Sequence, residues 1–591
     1  MTRIDPTKWT AVDGLGRAVE GYEQTGTSEG KKDKLVGMFY WTWHDTAHKH
    51  LKPLNINAVM EKYPEIQNDY KNPIWDNYKG VFNFWNEPLF GYYARTDKYV
   101  LRKHAEMLAN AGVDFVLFDC TNADAVWEYA YTALLEVWSE AKAEGIKVPQ
   151  IAFMMQFWFS SNTVSSLRQV YEKLYKPGLY RDLWFCMDGK PMVMSHSKQL
   201  DENDPLQKEI KEFFTFKEGI PSYFEGDMSD KEWGWLHIYP QALYKDSEGK
   251  VAMTTVGVAQ NADYIEQRLC AMNGPANMGR SYTGQPDFSY SYEYRGEKIV
   301  ADRNIENSKF YGLNFQEQWD YAISVDPEII FVTGWNEWNM GRYDEWCGIE
   351  NAFPDQFDDE NSRDIEPTKG SLKDHYYYQL VTNIRRFKGA SAPDCQKKAK
   401  TIDITKGKEQ WEDDDIISYD YYPNNTYKRD TDGYIGCHYV TDATRNDIIK
   451  TRVAYDDEYV YFYAETKDDI SPCDGKNWMR LLLDTCPAGP DTKDWEEFEY
   501  IINRNNPEDG FVTVEKSLGG WNWEVTGKAA YTVAGNIMQI AVPRSMIGIQ
   551  DSVAFNYKWC DNNLNDGDIM ELYTDGSCVP GGRFTFRFMD K

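Results

Sequence analysis

Ile329-Ile-Phe-Val-Thr-Gly-Trp-Asn-Glu-Trp-Asn339 opens as an unbroken apolar run, stops at Gly334, and then presents an amide and a carboxylate between two tryptophans. A short apolar run without alternation, closed by a glycine, reads as a strand buried on both faces, as strands of a parallel sheet are. Seven further runs share that texture: 35–43, 114–120, 150–157, 183–194, 213–216, 235–239 and 254–260. Stretches of helical period stand between most of them, at 97–111, 123–144, 164–174, 262–272 and 315–324, with a last one at 374–386. Eight such strands and a closing helix predict an α/β fold, a (β/α)8 TIM barrel over residues 1–390. No Gly-x-Gly-x-x-Gly opens a helix after the first strand and no Walker sequence occurs, so nucleotide use is unsupported.

Past the barrel, GASAPDCQKKAKTIDITKGKEQ (389–410) is small, polar and basic without periodicity, and 391–410 reads as a linker. From 411 to 591 the texture changes to short alternating runs such as Ile449–Ala464, separated by Asp, Asn, Gly and Pro, which predicts an all-β sandwich. The chain carries 64 Lys and Arg against 94 Asp and Glu, a net charge of −30, so its field repels phosphate backbones and anionic headgroups. Nucleic acid and membrane are therefore not expected partners. Trp, Tyr and Phe number 21, 41 and 28, an abundance that suits sugar, whose rings stack on aromatic faces while polar tips bind its hydroxyls. The opening MTRIDPTKW lacks the apolar segment of a secretory signal. The expectation is a cytoplasmic chain, or a secreted or periplasmic one whose signal has been removed. The ten cysteines are scattered without Cys-x-x-Cys and predict no disulfide framework.

In a (β/α)8 barrel the carboxyl ends of the strands carry the chemistry. The residues at those ends are Trp41, Trp43 and His44 after the first strand, Asp119 after the second and Gln156 after the third. Tyr239 follows the sixth, Gln260 and Asn261 the seventh, and Trp335, Asn336, Glu337 and Trp338 the eighth. Desolvation between tryptophans raises a carboxyl toward acid-catalyst values, which makes Glu337 the sharpest candidate; a salt bridge to an arginine such as Arg342 is the alternative. His44-Asp-Thr-Ala-His48-Lys-His50 has metal-like spacing but follows a strand and is ended by Pro53, so no metal is expected there.

Gly91-Tyr-Tyr-Ala-Arg-Thr-Asp-Lys-Tyr-Val-Leu-Arg-Lys-His-Ala-Glu-Met-Leu-Ala-Asn-Ala-Gly-Val-Asp114, running into Phe115-Val-Leu-Phe-Asp119, resembles the second βα region of glycoside hydrolase families 71 and 99 and the WbsX-type proteins. Gln316-Glu-Gln-Trp319 and Asp326-Pro-Glu328, leading into the strand that ends in Trp335-Asn-Glu-Trp338, are similar to their penultimate helix and last strand. The resemblance implies a (β/α)8 enzyme that cleaves α-glycans with Glu337 as a catalytic carboxylate. Family 99 places a second catalytic glutamate three residues on, where this chain has Met340, so the reaction through an epoxide-like sugar intermediate does not carry over intact. The partner carboxylate is sought in Glu366, on the acidic loop 355–367, and in Asp119, with Glu225, Asp227, Asp344 and Glu345 as further candidates. The run Asn446 to Tyr463 resembles carbohydrate-binding family 9 sandwiches, in which Trp478, Trp521 and Trp523 would stack on sugar. Glu412-Asp-Asp-Asp415 reads as a Ca2+ loop or as a solvated charge run.

The leading expectation is a glycoside hydrolase acting on an oligo- or polysaccharide, with no cofactor. A polysaccharide lyase drawing on Arg280, Arg95 or Lys190, and a non-catalytic glycan binder for which Met340 speaks, stay open.

Overall fold

The computed structural model describes residues 4–31, 33–45, 50–78, 83–442, 444–485, 494–562 and 565–591. His48 and Cys486 lie outside them. Eight strands run parallel: β1 (Leu35–Tyr40), β2 (Phe115–Asp119), β3 (Gln150–Met154), β4 (Lys190–Met194), β5 (Thr215–Ile220), β6 (Glu232–Gly234), β7 (Val251–Gly257) and β8 (Ile329–Thr333). They hydrogen-bond in the order β7-β8-β1-β2-β3-β4-β5-β6, so the chain's first strand lies between its second and its last. The sheet is a nearly closed barrel, and at the remaining seam the short strand Tyr244–Lys245 adds antiparallel to β7 and is paired in turn by Met228–Ser229.

Alternation along the strands divides two packing layers. Phe39, Phe115, Leu117, Met154, Met192, Met194, Trp233 and Phe331 fill the lumen, while Val36, Met38, Val116, Phe118, Ile151 and Phe153 belong to the shell under the helices. Phe115 stacks on Phe185 with ring centroids 3.8 Å apart, and a Cβ on residue 37 would fall 2.3 Å from the Phe115 ring, so the lumen admits only glycine at Gly37. Helix α1 (Lys98–Ala111) follows the long excursion after β1, and α2 (Glu128–Ala143), α3 (Ser161–Val170) and α4 (Pro205–Phe213) follow β2, β3 and β4. Asp97 caps α1 by accepting from the amides of Tyr99 and Val100, and Gly112 ends it at φ +89°. Helices α5 (Leu313–Ser324) and α6 (His375–Lys388) flank β8 in sequence.

Two expectations fail here. The helix expected over 262–272 is absent: Asp263 caps a single turn through the amides of Ile265 and Glu266, Gln267 takes φ +50°, and Arg268–Leu269 returns as a strand beside Gln260–Asp263. The sixth strand lies at 232–234 rather than 235–239, because its pairing with β5 ends at Gly234; Tyr239 therefore ends no strand and packs against Tyr321 of α5.

Residues beyond 411 are β-rich as expected, but their hydrogen bonds join into one barrel-like antiparallel sheet rather than two separate layers. Its strands are β9 (Ser418–Asp420), β10 (Ile448–Tyr455), β11 (Tyr459–Thr466), β12 (Arg480–Asp484), β13 (Tyr500–Ile502), β14 (Phe511–Gly519), β15 (Asn522–Ala534), β16 (Ile537–Pro543), β17 (Ala554–Asp561), β18 (Ser577–Val579) and β19 (Phe586–Met589). The order is β9-β10-β11-β16-β15-β14-β13-β12-β17-β18, with β19 also on β17. The sheet curls around Val453, Phe462, Leu481, Ile501, Val514, Ile540 and Phe555, all buried.

This region packs closely on the barrel. Phe584 lies against Tyr378 and Trp9, and Arg583 Nε donates to Asp374 Oδ2 at 2.6 Å, with Tyr573 on the same oxygen. Arg429 clasps Asp97 Oδ2 through Nε and Nη2 at 2.9 and 2.6 Å, both side chains buried. The polar stretch 391–410 touches both sides, Ser391 N donating to Thr7 and Gln396 N to the Met589 carbonyl.

Candidate active site

After β8 the chain passes Gly334 and the Glu337 segment, crosses the mouth, and returns through 355–367 to α6. Glu337 is buried there. Its Oε2 accepts from Arg363 Nη2 at 2.8 Å and from Gln356 Nε2 at 3.3 Å, and its amide donates to Asp364 Oδ1 at 2.5 Å. Burial pushes the Glu337 carboxyl well above its ordinary range, and Arg363 pulls it only part of the way back. The arginine predicted as a competing partner, Arg342, lies elsewhere, against Trp75 and Phe353.

Arg363 organises the mouth. Besides Glu337 it reaches Asn261 Oδ1 at 3.1 Å and lies 5.3 Å from the Trp235 ring, while its buried Nε meets no described acceptor. Tyr223 donates to the same Asn261 oxygen at 2.7 Å. Asp355 Oδ1 stands 3.9 Å from Arg363 Nη2, and with 44% of its side chain accessible it is the carboxylate open to the solvent side. Asp119, at the end of β2, accepts through Oδ1 from the amide and hydroxyl of Thr121, whereas its buried Oδ2 has no described partner. Burial, with Asp355 adding to it, raises Asp119 to about 6. Arg363 thus pairs with Glu337, stands near Asp355 and acts on Asp119 electrostatically. Asp364 is held by Trp85 Nε1 and the Glu337 amide, and burial raises it to about 7.

Glu366, sought as the partner carboxylate, is enclosed, with no exposed side-chain surface. Its Oε1 pairs with His104 Nε2 at 2.9 Å, and its Oε2 accepts from Tyr93 at 2.7 Å and Trp338 Nε1 at 2.5 Å. His104 Nδ1 continues to the Tyr40 hydroxyl at 2.7 Å. The amide of Glu366 donates to the Trp335 carbonyl, which ties this end of the loop to the segment that follows β8.

The other nominated residues divide. Trp41 and Trp43 stack with centroids 4.4 Å apart, and Trp43 Nε1 points to the Asp119 carbonyl at 3.3 Å, which sets this pair beside the carboxylates. Asn336 binds the backbone of Trp41 through both amide atoms and meets the Tyr93 hydroxyl, fixing the β1 end to the β8 end. Trp335 turns outward to His104 and Tyr377, and Trp338 stacks on Trp85 at 4.7 Å, so both are walls of the support beneath the mouth. His44 is buried against Tyr93 and Phe84, and burial lowers it to about 3, which keeps it neutral. Gln156 gives its Nε2 to the Cys120 and Ala123 carbonyls and Ser166 while its buried Oε1 has no described partner, and Gln260 pairs with Asn314. Tyr239 is not brought to the site. Glu225 and Asp227 do not join the cluster either: Asp227 pairs with Lys245 at 2.5 Å.

The residues that sequence reasoning did not place in the site are Arg363, Asp355, Gln356 and Tyr223, whereas Asn261, nominated at the end of the seventh strand, is brought to Arg363. Their one sequence signal is that the acidic loop 355–367 carries a single arginine, Arg363.

In the C-terminal region Trp478 is buried with its Nε1 on the Ser471 carbonyl, while Trp521 and Trp523 pack edge to face beside Trp495. Asp413 and Asp415 of the acidic run engage Lys400 and Lys398. A cavity of about 610 Å³ lies between the N-terminal segment and the antiparallel region, bordered by Trp9, Tyr294, Arg295, Glu497 and Arg587, and none of the mouth carboxylates reaches it. No described helix is long and apolar enough to cross a membrane.

No family model matches the chain, and no curated protein matches it. Among solved structures, it is similar to the GH99 endo-alpha-mannosidase from Bacteroides thetaiotaomicron, at 16% identity over 61% of this chain and 99% of that one, TM-score 0.32. The same enzyme in complex with Bis-Tris propane gives 15% identity over 60% of this chain and 97% of that one, again with TM-score 0.32.

Proposed function

We propose that the chain is a glycoside hydrolase acting on an oligo- or polysaccharide, with a (β/α)8 catalytic barrel and its reaction at the mouth between the ends of β2 and β8. The observation that carries this reading is two desolvated carboxyls from different strand ends, Glu337 paired with Arg363 and Asp119 within that arginine's electrostatic reach and bonded through its carbonyl to Trp43 of the stacked Trp41–Trp43 pair. Environments that raise a carboxyl keep it protonated near neutral pH, which a general acid requires. Glu337 gives its proton to the glycosidic oxygen as the bond to the anomeric carbon breaks. Asp119, ionised above about 6, offers its unpartnered Oδ2 to the incoming water or to the anomeric carbon itself. Asp119 takes the partner role in place of Glu366, whose oxygens are occupied and enclosed. Trp43 and Trp235 supply the apolar faces on which a sugar ring stacks.

The test is an activity screen of the full chain on a broad glycan panel, with Glu337→Gln in parallel. New reducing ends from the wild type and their loss in the variant support the reading. Unsaturated products absorbing in the ultraviolet would assign elimination instead, and binding without turnover would assign a lectin-like role.

A further inference from the structure

Strands β17 and β18 run antiparallel with Cys560 directly opposite Cys578. Directly opposed residues project to the same face with Cα atoms about 4.5 to 5.5 Å apart, inside the span of about 4.4 to 6.8 Å that a disulfide bridges. Each thiol acts on the other electrostatically, as neighbours on one face. Lys558, two residues before Cys560 and so on the same face, is fully buried and acts electrostatically on both sulfurs. β18 has three residues, all buried, and ends the hydrogen-bonded order of the sheet.

We propose that Cys560 and Cys578 form a redox-modification site that takes a low-molecular-weight disulfide and closes to a cross-strand disulfide. The Cys578 thiolate, on the edge strand, attacks one sulfur of the small disulfide, forming a mixed disulfide and expelling one small thiolate. The Cys560 thiolate then attacks the Cys578 sulfur, forms the intraprotein S–S bond and expels the second small thiolate. Two cysteine thiols are oxidised, one small disulfide is reduced to two thiols, and the two cysteine protons pass to those thiolates. Burial pushes the Cys560 thiol well above its ordinary value, with Lys558 and Arg480 opposing, so the closure is slow at neutral pH and quickens as pH rises. The bond would clip to β17 the strand that leads directly into Arg583 and Phe584, the residues seated on the barrel.

The experiment incubates the reduced full chain with oxidised glutathione, then denatures, alkylates and maps peptides by mass spectrometry. The expected result is a Cys560–Cys578 linked peptide, an unfolding temperature raised by roughly 5 to 10 °C for a closed loop of this size, and reversal of both by dithiothreitol. Exposed Cys186, Cys347 and Cys395 serve as the internal comparison and carry only mixed disulfides. In Cys560→Ser the temperature rise disappears. Recovery of Cys560 and Cys578 as alkylated thiols while the exposed cysteines are modified overturns the proposal, as does Cys578 linked to any other cysteine. The linked peptide is read on the wild type, so the result stands even if the serine variant folds poorly.

Discussion

Arg363 Nη2 lies 2.8 Å from Glu337 Oε2, joining two residues 26 positions apart on one excursion after the last barrel strand. The guanidinium and Gln356 fix the direction of the carboxyl, while the protein around it sets the protonation. The same arginine lies within electrostatic reach of Asp119 and Asp355, so a change to any of these carboxyls is felt by the others.

Glu337→Gln keeps an acceptor for Arg363 and Gln356 and should fold like the wild type. Turnover on a cleaved glycan should fall at least about a hundredfold, the size of a general acid–base contribution. Near-normal turnover in a folded variant would remove Glu337 from the chemistry.

Asp119 sets an acid limb. With its carboxyl raised to about 6, the partner carboxylate is ionised above that value and protonated below it, so kcat/KM should decline as pH drops through about 6. For stability the sign is opposite: a carboxyl raised in the folded state stabilises fully below its unfolded value near 4 and loses that contribution as pH rises through about 6. Asp119→Asn should therefore cost activity while flattening the stability change between about pH 4 and 6. A pH–rate profile and thermal unfolding at the same pH values read both.

Glu366 makes the contrasting forecast. Its removal in Glu366→Ala leaves His104, Tyr93 and Trp338 without their buried acceptor, a loss on the order of 3 kcal/mol. The unfolding temperature should drop by several degrees, and Glu366→Gln should retain measurable turnover. A Gln variant that melts like the wild type but does not turn over would return Glu366 to the reaction.

Truncation near Ser391 should not yield a well-behaved barrel. The cut uncovers Tyr377, Tyr378 and Trp9 and strips Asp374 and Asp97 of Arg583 and Arg429. A buried carboxylate left without its partner costs about 3 to 5 kcal/mol. Size-exclusion chromatography of residues 1–390 should show aggregation, and a monodisperse peak would contradict the contact.

The strand ends were readable because apolar runs in a parallel sheet declare themselves locally: β8 stops at Thr333, and the Glu337 segment follows as the sequence pattern requires. What lay out of reach was decided by distant chain. The acidic loop after β8 nominates Glu366 for the site, yet a backbone bond to Trp335 and the buried pair with His104 enclose it. The spacing of Ala262, Ile265, Leu269 and Met272 is helical, but Gln267 at φ +50° and the neighbouring strand Asn277–Met278 divert it. Arg363 could be assigned a partner only once the loop's return path was known.

Asp97 is both the cap of α1 and the anchor for Arg429, and α1 carries His104 to Glu366. Through the separate hairpin of Arg429–Asp432 and His438–Thr441, the C-terminal region consequently grips the first turn of a helix whose second turn holds Glu366. Exchange of the C-terminal region for another module would have to reproduce a single guanidinium at the Arg429 position, or the graft would be felt at His104 and Glu366.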